Sequence, residues 1–96
     1  MNRSTATVRS ERASIYLQQL CKHFAHRIPV EFTPEHGRIT FPETGTCRLT
    51  AADGVLTMEA EAEDAERLAR LQDVVDRHLV RFAFREPPVI EWKAAA

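Results

Sequence analysis

The chain has 96 residues, a net charge of −1 and a charged fraction of 28%, which indicate one ordinary globular domain. A charge this close to zero argues against a dedicated nucleic-acid binder, because such proteins are usually strongly basic. No apolar run approaches the roughly 20 residues of a membrane span, and the first ten residues lack the apolar middle of a signal peptide. We therefore expect one cytoplasmic domain over residues 1–96, with 1–3 and 94–96 frayed and no nucleic-acid or membrane partner.

The first elements in chain order are predicted to be a strand and a helix. Residues 5–9 alternate between polar and apolar side chains, as a half-buried strand does. Ser10 is a favourable N-cap residue for a helix over residues 11–27, and Pro29 ends that helix. Its apolar residues recur every three or four positions and form one stripe: Ala13, Leu17, Leu20, Cys21, Phe24 and Ile28.

Four short strands are predicted next, over residues 30–32, 38–41, 46–51 and 55–62. Each alternates apolar and polar side chains, and turn residues separate them. The segments TPEHG and PETG are the first two turns, with Gly37 late in the first. The pair Asp53–Gly54 is the strongest hairpin signal in the chain.

A second helix is predicted to begin after Asp64, its N-cap, and to run to about Phe84. Its apolar stripe is Leu68, Leu71, Val75, Leu79 and Phe82. Acidic residues precede basic ones by four positions twice, at Glu66–Arg70 and Asp73–Arg77. A proline pair then stops the helix, and residues 89–93 are predicted to form a last strand, with Ile90 and Trp92 on one side and Glu91 and Lys93 on the other.

The order strand, helix, four strands, helix, strand predicts a two-layer α+β domain. Because nearly every strand has one apolar and one polar side, the sheet of about six strands is expected to be mostly antiparallel, with both helices on one face. The other face is expected to meet water or a partner. It carries the polar alternates: Thr5, Thr7, Arg38, Thr40, Arg48, Thr57, Glu59 and Glu91.

Several runs are similar to one bacterial family. YLQQLCKHFAHRIPVEF, GRITFPETGTCRL, LQDVVDRHLVRFAFRE and the final VIEW resemble the domain of unknown function 2218 family across nearly the whole chain. Members of that family are found as stand-alone proteins and beside, or fused to, flavin-dependent siderophore-interacting reductases. The resemblance implies a role in iron or siderophore use and a reductase partner, by association alone. It implies no catalytic residues.

A basic strip on the second helix is the best candidate binding site in the sequence. Its members fall within about a quarter of the helical circle: Arg67, Arg70, His78, Arg81 and Arg85. Such a strip suits an anionic ligand such as a carboxylate, a phosphate or a catecholate siderophore. The competing interpretation is a solvated helix face whose arginine stems cover the edge of the core.

Histidines and cysteines offer two weaker sites. His23 and His26 are three residues apart on the first helix, a spacing that metal ligands use, but a third ligand must come from elsewhere. Cys21 and Cys47 both face inward by pattern, so we expect free, buried thiols that behave as small hydrophobic residues.

Three function classes stay open from sequence. The first is a non-catalytic accessory domain that binds an anionic small molecule or a partner reductase through the basic strip. The second is a small metal- or thiol-dependent enzyme that uses His23, His26, Cys47 or His78. The third is a homodimeric structural domain that pairs through its exposed sheet face. The sequence names no cofactor, and both a monomer and a homodimer fit it.

Overall fold

The computed structural model describes residues 1–83, 88 and 90–94. These residues form one antiparallel sheet and two helices, in the order predicted from sequence. The elements in chain order are β1 (Asn2–Arg9), α1 (Ala13–Ala25), β2 (Val30–Phe32), β3 (His36–Phe41), β4 (Gly45–Ala52), β5 (Val55–Ala62), α2 (Ala65–Phe82) and β6 (Lys93–Ala94).

The described residues place the six strands in the order β2-β3-β4-β5-β1-β6. Every pair of neighbouring strands is antiparallel. Asp53 and Gly54 connect β4 to β5 with φ angles of 52° and 72°, as a two-residue type I′ turn requires. The turn sets the register of the β4–β5 hairpin, in which Ala52 lies opposite Val55. The two-layer α+β prediction is confirmed.

Both helices cover the same face of the sheet, and the core lies between the two layers. The inward residues of β4 and β5 are buried together with the apolar stripes of α1 and α2. The largest fully buried side chains are Leu17, Leu20, Ile39, Leu49, Leu56, Met58, Leu71 and Leu79. Burying each such side chain contributes roughly 1.5–3 kcal/mol, so this layer supplies most of the stability.

Each helix begins differently from the other. Asp64 caps α2 as predicted: its Oδ1 accepts a hydrogen bond from the Arg67 backbone N–H at 2.7 Å. The prediction that Ser10 caps α1 is wrong. The Ser10 hydroxyl accepts a hydrogen bond from the Arg12 backbone N–H at 3.0 Å. The Ser10 backbone N–H donates to the Gly54 carbonyl at 2.9 Å. Ser10 is therefore tied to the β4–β5 turn, and α1 begins only at Ala13.

Gly37 lies inside β3 and not in the predicted turn. It is buried and pairs with Leu49 of β4. A Cβ at this position would lie 2.7 Å from Cys21 Sγ, so α1 packs directly on the backbone of β3. The glycine is explained by this close approach and not by turn geometry.

The C-terminal prediction is partly wrong. The strand pairs at Lys93 and Ala94, beside Thr5 and Ser4 of β1. Ile90 and Trp92 pack half-buried against the core without joining the sheet. Trp92 Nε1–H donates to Asp76 Oδ1 at 2.8 Å, which holds this segment against α2. The predicted helix end at Phe84 and the predicted strand residue Val89 lie outside the described residues.

No helix in the described part of the chain is both long enough and apolar enough to cross a membrane.

Candidate functional site

The basic strip predicted on α2 is divided by its ion pairs. Arg67 pairs with Asp64 at 2.5 Å and donates through Nε to the Glu43 carbonyl at 3.0 Å. Arg70 pairs with Glu66 at 2.8 Å. Acidic neighbours therefore offset both charges, and these side chains serve the start of the helix.

The rest of the strip joins the end of α1. His78 is half-buried, Arg81 is exposed, and Arg81 forms no ion pair with any described acidic side chain. Arg85 lies outside the described residues. The His78 ring lies 4.8 Å from the His23 ring, a contact between helices that sequence reasoning missed.

Phe24 contacts both histidine rings, Phe82 contacts His23, and Phe41 packs against Phe24. Ring centroids of Phe24 lie 5.0 Å from both His23 and Phe41, and those of His23 and Phe82 lie 5.8 Å apart. His78 Nδ1 lies 2.7 Å from the Val74 carbonyl oxygen, which only accepts, so Nδ1 carries a proton and donates this hydrogen bond.

His23 is surrounded by positive charge. Burial lowers its pKa below the ordinary 6.5, and His78, Arg81, Arg27 and His26 lower it further, in that order. No acidic group in the described part of the chain contributes to the shift. We call His23, Arg27, His78 and Arg81 the helix-end cluster. Basic groups near helix C-termini also favour the helix dipole, so a structural role explains part of this arrangement.

The metal prediction for His23 and His26 stays a prediction. Among residues 1–83, 88 and 90–94, no three His, Cys, Asp or Glu side chains come together in a metal-binding arrangement. Within this range, therefore, the pair gains no third ligand.

Both cysteines are fully buried and free, as expected. Burial raises the pKa of Cys21 to about 11. Burial, and to a smaller extent the nearby Cys21 thiol, raises the pKa of Cys47 to about 12. A nucleophilic thiol needs exposure and a lowered pKa, so neither side chain is suited to covalent catalysis.

The open sheet face presents a charged row that crosses the strands. Backbone pairing places six outward residues side by side, one from each strand in sheet order: Glu31, Arg38, Arg48, Glu59, Thr5 and Lys93. Threonines flank this row on both sides. Arg38 and Arg48 face each other directly, an arrangement of like charges that costs stability.

A concavity of about 370 Å³ lies over this row. We call it the open-face groove. Its lining includes Arg3, Arg38, Arg48, Thr40, Thr46 and Glu59. Its volume falls within the range of about 300–1,000 Å³ typical of small-molecule sites.

The positive charges of the groove are only partly neutralised. Arg3 Nε pairs with Glu61 Oε2 at 2.8 Å. Arg38 and Arg48 form no ion pair with a described acidic side chain, although Glu59 is the register partner of Arg48. Two adjacent guanidinium groups thus have no ion-pair partner among the described residues.

The model of a bacterial family described as "Uncharacterized protein conserved in bacteria (DUF2218)" matches residues 5–93. The chain belongs to this family. The NMR structure of PA4090 from Pseudomonas aeruginosa is similar to it, with 42% identity, a TM-score of 0.81, and coverage of 97% of this chain and 96% of that one. Among curated proteins, none matches at a significant level.

For this DUF2218 domain, sequence reasoning recognised the outward direction of Arg38 and Arg48 but not their site. The missing signal was register: the short turn before β4 sets Phe41 opposite Gly45, and the same pairing brings Arg38 opposite Arg48. Alternation together with turn length therefore contains the signal for the arginine pair.

Proposed function

We propose that this DUF2218 domain is a non-catalytic binding domain that holds an anionic ligand in the open-face groove. The observation that carries the proposal is the facing pair Arg38 and Arg48, which has no described acidic partner and lies in a concavity. Like charges held side by side cost stability, and an anion between them would relieve that cost.

The chemistry of the groove suits oxyanions that accept paired hydrogen bonds. Guanidinium groups donate two parallel hydrogen bonds to a carboxylate or phosphate, and the hydroxyls of Thr40 and Thr46 can complete the coordination. A catecholate siderophore belongs to the same anionic class. The family resemblance suggests iron or siderophore use as the biological setting, and we expect a cytoplasmic location where both thiols stay reduced.

A binding role fits the buried residues better than the thiol-enzyme alternative does. The pKa values of Cys21 and Cys47, about 11 and about 12, keep both thiols protonated at neutral pH. A covalent mechanism through Cys47 would also have to open the core.

The test is isothermal titration calorimetry with a simple dicarboxylate, inorganic phosphate and a ferric catecholate complex. We expect at least one to bind the unaltered protein, and Arg38→Gln or Arg48→Gln to weaken it at least about tenfold. Arg77→Gln is the matched control, because Arg77 lies exposed on α2, pairs with Asp73 and loses the same charge. Equal affinity in all variants would overturn the proposal.

The helix-end cluster supports a second function, docking of an acidic partner such as a flavin-dependent siderophore reductase. What favours it is that, among the described residues, the charged groups that shift the His23 pKa are all cationic when protonated. Arg27→Glu and Arg81→Glu are expected to abolish co-purification with a flavin-dependent siderophore reductase from the same bacterium, whereas Arg48→Glu is not. Retained co-purification in the first two variants would exclude this surface.

The homodimer alternative places a second copy over the same open face. Multi-angle light scattering distinguishes it from ligand binding. We expect a monomer whose ligand affinity does not depend on protein concentration, whereas a dimer disrupted by Arg48→Glu would favour self-association.

A further inference from the structure

We propose that the open-face groove selects zwitterionic ligands, in which a carboxylate is joined to a cationic nitrogen, as in amino acids and short peptides. The inference rests on the proposed function and narrows its ligand class. It comes from Glu59, an acidic residue of the groove that lies beside Arg48, the nearer of the two arginines without a described acidic partner.

Glu59 is the acidic group of the groove left without an ion pair among the described residues. Glu61 also lines the concavity, but its carboxylate pairs with Arg3 at 2.8 Å. Glu59 is exposed, faces the same side as Arg48, and forms no ion pair with any described basic side chain. A cationic group of the ligand would find its partner there.

The charges follow one another in a fixed sequence across the sheet. Arg38, Arg48 and Glu59 occupy one row on three neighbouring strands. Because such strands are about 4.8 Å apart, the two outer Cα atoms are separated by roughly 10 Å. Glu31 flanks Arg38 on the other side, but of the two acidic residues Glu59 is the one that lines the groove. A carboxylate held between the two arginines can therefore direct an attached ammonium group toward Glu59. The row is complementary to a ligand with both charges.

A ligand that carries only negative charge is both attracted and repelled by charged side chains of the groove. The arginines attract it, while Glu59 repels it at short range. Glu59 therefore costs affinity for phosphate or a ferric catecholate and adds affinity for a zwitterion. The volume of about 370 Å³ leaves room for a ligand larger than a single amino acid. A dipeptide is the natural probe.

The experiment compares alanyl-alanine with N-acetyl-alanyl-alanine, which keeps the carboxylate but lacks the ammonium group. Isothermal titration with the unaltered protein is expected to show about tenfold tighter binding of the free dipeptide. Glu59→Gln is expected to abolish this preference by weakening the free dipeptide and tightening both the acetylated peptide and inorganic phosphate. Glu11→Gln, which removes an exposed charge just before α1, is the matched control and is expected to retain the preference.

The outcomes separate this inference from the proposed function. Equal or tighter binding of the acetylated peptide by the unaltered protein, or a preference that survives Glu59→Gln, overturns the zwitterion inference. If Arg48→Gln still abolishes binding of the acetylated peptide or phosphate, anion binding in the groove stands. If no probe binds, or if Arg48→Gln binds each probe as tightly as the unaltered protein does, both the zwitterion inference and the proposed anion binding fail. Thermal midpoints of all variants establish that each one is folded.

Discussion

The two faces of the sheet differ in burial and in charge. Leu56 and Met58 point toward the helices and are fully buried, whereas Thr57 and Glu59, their neighbours along β5, point away from them. The first face is apolar and closely packed, and the second carries one ion pair, Arg3–Glu61, together with Arg38, Arg48 and Glu59, which have no ion-pair partner among the described residues. Because side chains alternate along a strand, each β5 residue that packs in the core is followed by one that points to the open face.

The largest expected effect contrasts neighbouring residues of β5. Leu56→Ala is expected to lower the free energy of unfolding by about 2–5 kcal/mol, because it leaves a cavity in the core. Thr57→Ala is expected to change it by no more than about 0.5 kcal/mol. Urea denaturation followed by circular dichroism measures both. Comparable losses in the two variants would mean that a covering partner, and not water, meets the open face.

The contact between α1 and β3 is expected to show the next largest effect. Gly37→Ala would place a Cβ 2.7 Å from Cys21 Sγ and is expected to destabilise the fold by about 1–3 kcal/mol through overpacking. Adding Cys21→Ala removes the clashing sulfur, so the double variant is expected to be more stable than the sum of the two single changes predicts. Simple additivity would show that the two positions do not meet.

A smaller expected effect is the pH dependence of stability that arises from His23 on α1. The pKa of His23 is lowered, chiefly by burial and next by His78, so the unfolded chain takes up a proton before the folded chain does. Stability is therefore complete above about pH 6.5 and falls as the pH drops from there toward the lowered pKa. His23→Gln is expected to reduce this slope in thermal melts between pH 5 and 8.

His36→Gln is the control for the pH experiment, because His36 lies on β3 outside the helix-end cluster. A slope that disappears with His36→Gln and persists with His23→Gln would contradict the assignment.

The smallest expected stability effect belongs to the groove itself. Arg48→Gln removes one like charge opposite Arg38 and one opposite charge beside Glu59, so the free energy of unfolding is expected to change by no more than about 0.5 kcal/mol. Chemical denaturation with and without phosphate checks this. A loss of several kcal/mol without ligand would assign Arg48 a structural role.

Much of the fold was predictable because local patterns determine it. The period-two alternation of β5, the Asp53–Gly54 turn and the capping role of Asp64 each follow from a few neighbouring residues. These signals suffice for the element order and for the buried face of each element.

The errors arise where distant segments meet. Gly37 looks like a turn residue until α1 is packed on it, and Ser10 looks like a cap until its N–H bonds to Gly54. The His23–His78 contact depends on how two helices cross, which no local pattern specifies. The arginine pair lies between these cases, because turn length and alternation determine it together.

The most direct test of anion binding on the open face is a chemical-shift titration of ¹⁵N-labelled protein with inorganic phosphate and with the dipeptide. The account predicts saturable shifts at Arg38, Arg48 and Glu59, with His78 and Arg81 unmoved. Shifts confined to α2 and the end of α1 would contradict it and assign binding to the helix-end cluster.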